Sequence, residues 1–70
     1  MSNYTPRIYC YRQYAYQNMD EEQIWADLQR WGGSLSIRGD CIDWYVPQSV
    51  ITLFLLKYPE LTRQQNLEYI

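Results

Sequence analysis

The residues best suited to chemistry lie near the start of the chain, where Tyr9, Tyr11, Tyr14 and Tyr16 are interleaved with Arg7 and Arg12. Tyrosine rings on a sheet stack on bases with little regard to sequence, and arginine meets phosphate, so this constellation fits a single-stranded nucleic-acid surface. It fits a protein interface equally, since tyrosine and arginine are favoured anchors there. It also fits a core with ordinary cross-strand pairs. A second group, Asp20, Glu21, Glu22 and Asp27 with Trp25 among them, could imitate phosphates and meet a basic groove on another protein. So few acids make it a secondary contribution to an interface. Arg38-Gly39-Asp40 spells the integrin-binding tripeptide, but Gly-Asp is what a tight turn requires.

Several chemistries are missing. The chain has no histidine, which removes the commonest general base and the commonest metal ligand together. Cys10 and Cys41 are isolated, with no CxxC spacing, and without histidine they make neither a typical zinc site nor a Cys–His nucleophile. There is no glycine-rich phosphate loop. The acids have structural uses: Asp20, Glu21 and Glu22 open a helix, Asp40 turns a hairpin, and Asp43 meets Arg38 diagonally across strands. The expectation is a protein that is not an enzyme, with no cofactor, no metal and no small-molecule substrate.

Six basic and eight acidic residues leave a net charge of −2, too weak a positive bias for affinity built on phosphate neutralisation, so nucleic acid is an unlikely general partner. With 47% hydrophobic residues the chain is no disordered tail. Eight tyrosines and three tryptophans against one phenylalanine favour half-buried surfaces and interfaces. No leader pattern and no apolar run near the ~18 residues of a membrane span are present, and two cysteines are too few for a secreted disulfide scaffold. These features place the chain in the cytoplasm with reduced thiols.

The elements that must position these residues follow from pattern. Ser34 to Val46 reads as a hairpin turning at Gly39-Asp40, which pairs Arg38 with Cys41, Ile37 with Ile42 and Leu35 with Trp44, and gathers four apolar side chains on one face. Arg7 to Tyr16 reads as a strand with apolar residues of both parities, either central in its sheet or offering tyrosines to a partner. Asn18 is the expected cap of a helix carrying Ile24, Leu28 and Trp31 at helical spacing and ending at Gly32-Gly33. A second helix runs from Pro47 to Tyr58, and its apolar residues cover nearly the whole circumference. Val50, Leu53, Phe54 and Leu56 are therefore the expected self-association surface.

Residues 1–6 read as a frayed lead-in and residues 59–70 as a C-terminal extension, a short helix or a docked tail. The expected fold is a small single α+β domain in β-α-β-β-α order, a three-stranded antiparallel sheet with two helices mainly on one face. That order resembles a ferredoxin-like unit without its final strand, a likeness of fold that carries no function. An aromatic-rich domain without catalytic groups fits a protein-binding module, a stoichiometric inhibitor or adaptor of a larger protein, of the build common among phage and mobile-element anti-defence proteins such as anti-CRISPR inhibitors. Its expected contacts are Tyr9, Tyr11, Arg12, Tyr14, Tyr16, Asp20, Glu21 and Trp25. Single-stranded nucleic-acid binding through the tyrosine strand, or a homodimer through the second helix, are the alternatives.

Overall fold

The hairpin adopts the register that its alternation dictates. Strands β2 (Ser34–Arg38) and β3 (Cys41–Pro47) pair antiparallel, with Arg38 opposite Cys41, Ile37 opposite Ile42 and Leu35 opposite Trp44. Gly39 turns the chain at φ 51°, while among the described residues none other than glycine has positive φ, which is the type II′ pattern. This computed structural model describes the backbone of residues 7–69 and the side chains of residues 7–64; the lead-in expected over 1–6 and the end of the extension lie outside the described residues.

The tyrosine strand, β1 (Ile8–Tyr14), is central. It pairs antiparallel with β3, Tyr11 facing Trp44, and on its other side with β4 (Thr62–Tyr69), Tyr11 facing Arg63. The sheet order is β2-β3-β1-β4, four strands where the pattern predicts three. The extension supplies the fourth and completes the β-α-β-β-α-β order of a ferredoxin-like unit. Its sequence, TRQQNLEY, is rich in residues of low strand preference, and it forms a strand because β1 offers it a free edge.

Helix α1 (Glu21–Trp31) is capped by Asp20, whose carboxylate accepts from the Gln23 amide at 3.2 Å, two residues later than the expected Asn18. Asp20 has Gln23 three positions on and two glutamates directly after it, so it combines the capping-box spacing with the better charge for the helix N-terminus. Ile24, Asp27 and Leu28 are its buried residues. After β3 a 3-10 turn (Gln48–Val50) leads into α2 (Ile51–Lys57). Pro47 stays extended at φ −61°, ψ 144° and ends β3 instead of opening the helix, and Tyr58 leaves the helix before Pro59.

Both helices lie on the face of Tyr11, Trp44 and Val46, and with them Ile24, Leu28, Phe54, Tyr58 and Leu61 form the core. Asp27 fastens the helices to each other. Fully buried, it accepts from Lys57 Nζ at 2.7 Å, Tyr58 Oη at 2.5 Å and Gln23 Nε2 at 3.3 Å. Burial alone would raise its pKa, but these hydrogen bonds outweigh it and the net shift is downward. Gly33 sets the seam between α1 and β2: a Cβ there would lie 2.5 Å from the Tyr45 carbonyl and 2.9 Å from Leu28 Cδ2. Among the described residues no helix is long and apolar enough to cross a membrane.

Candidate protein interface

Strand alternation splits the tyrosine constellation between the two faces of the sheet. Tyr11 is buried against Phe54, ring centroids 5.3 Å apart, and is not offered to any partner. Tyr9 packs half-buried on the same core, with the Arg63 guanidinium 4.1 Å above its ring. Arg12 and Tyr14 have the other parity and lie on the face away from the helices, where Tyr14 stacks on the exposed Tyr16 at 5.7 Å. A continuous tyrosine platform, as base stacking along a strand requires, is therefore absent among the described residues.

The arginines of that outer face are already paired. Asp43 is fully buried between them, with Arg12 Nε at 2.7 Å from Oδ1 and Arg38 Nε at 3.2 Å from Oδ2, the latter being the diagonal pair expected from the hairpin register. Two cations sharing one carboxylate leave less charge for phosphate than the sequence promises. Cys10 is buried beside this cluster; burial and then the charge of Asp43 push its thiol up to about 11. Burial and then Asp40 raise Cys41 also. Cys10 stands opposite Tyr45 and Cys41 opposite Tyr14, so about 13 Å of strand separates the thiols, too far for a disulfide, and both are free.

The expected self-association set divides in the same way. Phe54 is fully buried in the core and is no surface residue, while Val50 packs half-buried against it. Leu53 and Leu56 are 52% and 74% exposed. The reason is the short α2, which turns only one stripe of its apolar circumference toward the sheet.

What the chain does bring together is a groove of about 300 Å³ between the start of α1 and the hairpin. Trp25 forms its helix wall, Leu35, Ile37, Ile42 and Trp44 its sheet wall, and Glu21 and Glu22 stand on the rim. Ile37 is 70% exposed, an unusual exposure for a large aliphatic side chain in a strand. The groove is held in shape from below. Trp44 Nε1 donates to Gln13 Oε1 at 3.1 Å, and Gln13 Nε2 donates to Glu21 Oε2 at 2.7 Å, so a buried glutamine fixes both the indole and the rim carboxylate.

Of the residues expected to meet a partner, Glu21 and Trp25 belong to this groove, whereas Asp20 serves as the helix cap. Sequence reasoning missed the exposure of Ile37 and the groove side of Leu35 and Ile42, since it gathered the hairpin's apolar residues on one face without what covers that face; Trp44 lies buried at the bottom of the groove. It placed Asp27 in the acidic group offered to a partner, although Asp27 lies in the stripe of Ile24, Leu28 and Trp31 and helical spacing alone turns it inward. Among the described residues no cluster of cysteine, aspartate and glutamate comes together that could hold a metal ion. No family model, curated protein or solved structure matches the chain.

Proposed function

We propose that the protein is a binding module that acts by occupying a surface of a larger protein, as a stoichiometric inhibitor or adaptor does, and that the groove between α1 and the hairpin is its contact. The observation that carries this reading is the exposure of Ile37 over a groove walled by Trp25 and Trp44 and rimmed by two glutamates. An apolar centre with a polar rim is the anatomy of a protein contact, with aromatic side chains as its anchors. Such a role needs complementary area and no reactive group. Two free thiols standing far apart fit a reducing compartment, the cytoplasm.

The test is affinity capture with the wild-type chain, Ile37→Thr and Trp25→Ala as baits, each first checked for a native melting curve. A protein held by the wild type at one-to-one stoichiometry and lost from both variants is the expected result. Equal retention by all three baits would overturn the assignment of the groove.

The exposed leucines of α2 favour a second reading, a homodimer through Leu53 and Leu56. Sedimentation of Leu56→Glu beside the wild type tests it: a dimer that becomes a folded monomer supports self-association through α2, and a wild-type monomer at all concentrations removes it.

A further inference from the structure

We infer that the partner is captured as an extended strand added to the free edge of β2, with apolar side chains entering the groove and a basic side chain meeting Glu22. This inference rests on the groove being the interface. Among the described residues the sheet order leaves β2 at an edge, with β3 as its one neighbour. A two-residue hairpin turn is flanked by a hydrogen-bonded pair, here Arg38 and Cys41, and the alternation of an antiparallel ladder then directs the backbone groups of Arg38, Ser36 and Ser34 toward β3. The N–H and C=O groups of Leu35 and Ile37 point the other way, out of the sheet. Those are the same two residues of β2 whose side chains line the groove.

Backbone donors, backbone acceptors and apolar wall thus coincide on one edge. Main-chain bonding gives such an added strand its affinity, and pockets for alternate side chains give it specificity. Residues of the incoming strand at every second position would fall on the helix side, beside Leu35 and Ile37. The next position of the same parity, beyond Ile37, leads toward the glutamate rim of the same groove; Glu21 is held by Gln13 over β1, so Glu22 is the carboxylate that a lysine or arginine there would meet.

Charge complementarity selects this occupant over a second copy of the chain. The β2 of a second copy would bring no basic residue to the groove: Arg38 has the opposite parity, and its Nε lies 3.2 Å from Asp43 Oδ2 on the other face.

The probe is the blocked peptide Lys-Thr-Val-Thr-Val-Thr-Lys, whose one face carries both valines between two lysines, so that either strand direction presents a basic end to the rim. Its counterpart has glutamate in place of both lysines. Titration by fluorescence of the groove tryptophans should show binding of the lysine peptide at least about tenfold tighter than of the glutamate peptide, weakened several-fold by Ile37→Thr. Amide exchange at Leu35 and Ile37 should slow in the complex. A chain of this length is accessible to synthesis with ligation at Cys41, and N-methylation of the Leu35 amide should weaken binding by about tenfold while keeping the side chain. N-methylation of the peptide makes the same test without touching the protein, at the valines for an antiparallel strand, whose valine amides face β2, and at the central threonine for a parallel one.

Binding that responds to Ile37→Thr but not to either N-methyl group, with no amide protection, would overturn strand addition and leave the groove as the interface. Equal affinity for the glutamate peptide, or no binding of the lysine peptide at millimolar concentration, would overturn the inference. So would a dimer in sedimentation that N-methyl-Leu35 dissociates, since a second copy would then occupy the edge.

Discussion

Replacing Asp27 with asparagine tests the contact that holds α1, and with it one wall of the groove, against α2. The substitution keeps the shape and removes the charge. Three donors converge on this carboxylate, Lys57 Nζ at 2.7 Å, Tyr58 Oη at 2.5 Å and Gln23 Nε2 at 3.3 Å. An asparagine has a single acceptor oxygen, so at least one donor is left facing an NH₂ group. Lys57 Nζ and Tyr58 Oη both meet Oδ2, so the amide oxygen placed there keeps both bonds and turns its NH₂ toward Gln23. The Tyr58 bond changes from a charge-assisted to a neutral one, a loss of about 1 kcal/mol. The Lys57 side chain is 46% exposed and rehydrates, so losing its ion pair adds about 0–1 kcal/mol. The sum is roughly 1–2 kcal/mol, against the ~3–5 kcal/mol that a core of this size supplies. At about 4–8 °C per kcal/mol for a domain of 60–100 residues, the melting temperature should fall by roughly 4–16 °C.

Urea and thermal unfolding followed by circular dichroism measure both quantities, and the pH dependence supplies an independent check. The folded pKa of Asp27 lies below its ordinary value of 3.8, so its contribution is complete above that pH and disappears as the pH falls through the folded value. The wild type should therefore lose stability below pH ~4 more steeply than Asp27→Asn, and the two curves should converge in acid. At the alkaline end burial, then the neighbouring carboxylate, hold the Tyr58 phenol above its usual 10, so this part of the contact persists to that pH and weakens above it. Equal urea midpoints at neutral pH, or parallel curves down to acid, would refute the reasoning that Asp27 is an ionised anchor.

Two further outcomes follow from the same packing. Gly33→Ala should destabilise by about 1–3 kcal/mol, because its new methyl meets the Tyr45 carbonyl, a backbone atom that cannot turn aside; an unchanged urea midpoint would mean that α1 and β2 separate freely. Iodoacetamide at pH 8 should modify Cys41 and spare Cys10 in the native protein, with both modified in urea, since Cys10 is fully buried and its thiol is pushed up to about 11; equal rates by mass spectrometry would show that the outer face opens.

Where the sequence predicts well, a local rule suffices. The hairpin register needs only alternation and a glycine turn, and both act within a few residues. The cap misses by two positions because Asn18 and Asp20 are both good caps, each with a Glu or Gln three residues on, so the capping-box rule does not separate them. Strand β4 is different in kind. Nothing in TRQQNLEY favours a strand over a tail, and the decisive fact is the unpaired edge of β1, more than fifty residues earlier in the chain.

The groove was illegible because its cause is lateral. Alternation says which face of the hairpin is apolar, but not how much of that face a helix covers. Length is not what falls short: at ~1.5 Å per residue the 11 residues of α1 extend ~16 Å, and the 5 residues of β2 extend ~17 Å at ~3.4 Å each. Glu21 at the start of α1 is bonded to Gln13 on β1, two strands in from β2, so the helix start lies toward the middle of the sheet and Ile37 on the edge strand stands exposed. The chain begins the helix with Asp20, Glu21 and Glu22, which puts negative charge on the rim of the apolar surface left open. Capping the helix and furnishing the groove are thus the work of the same residues.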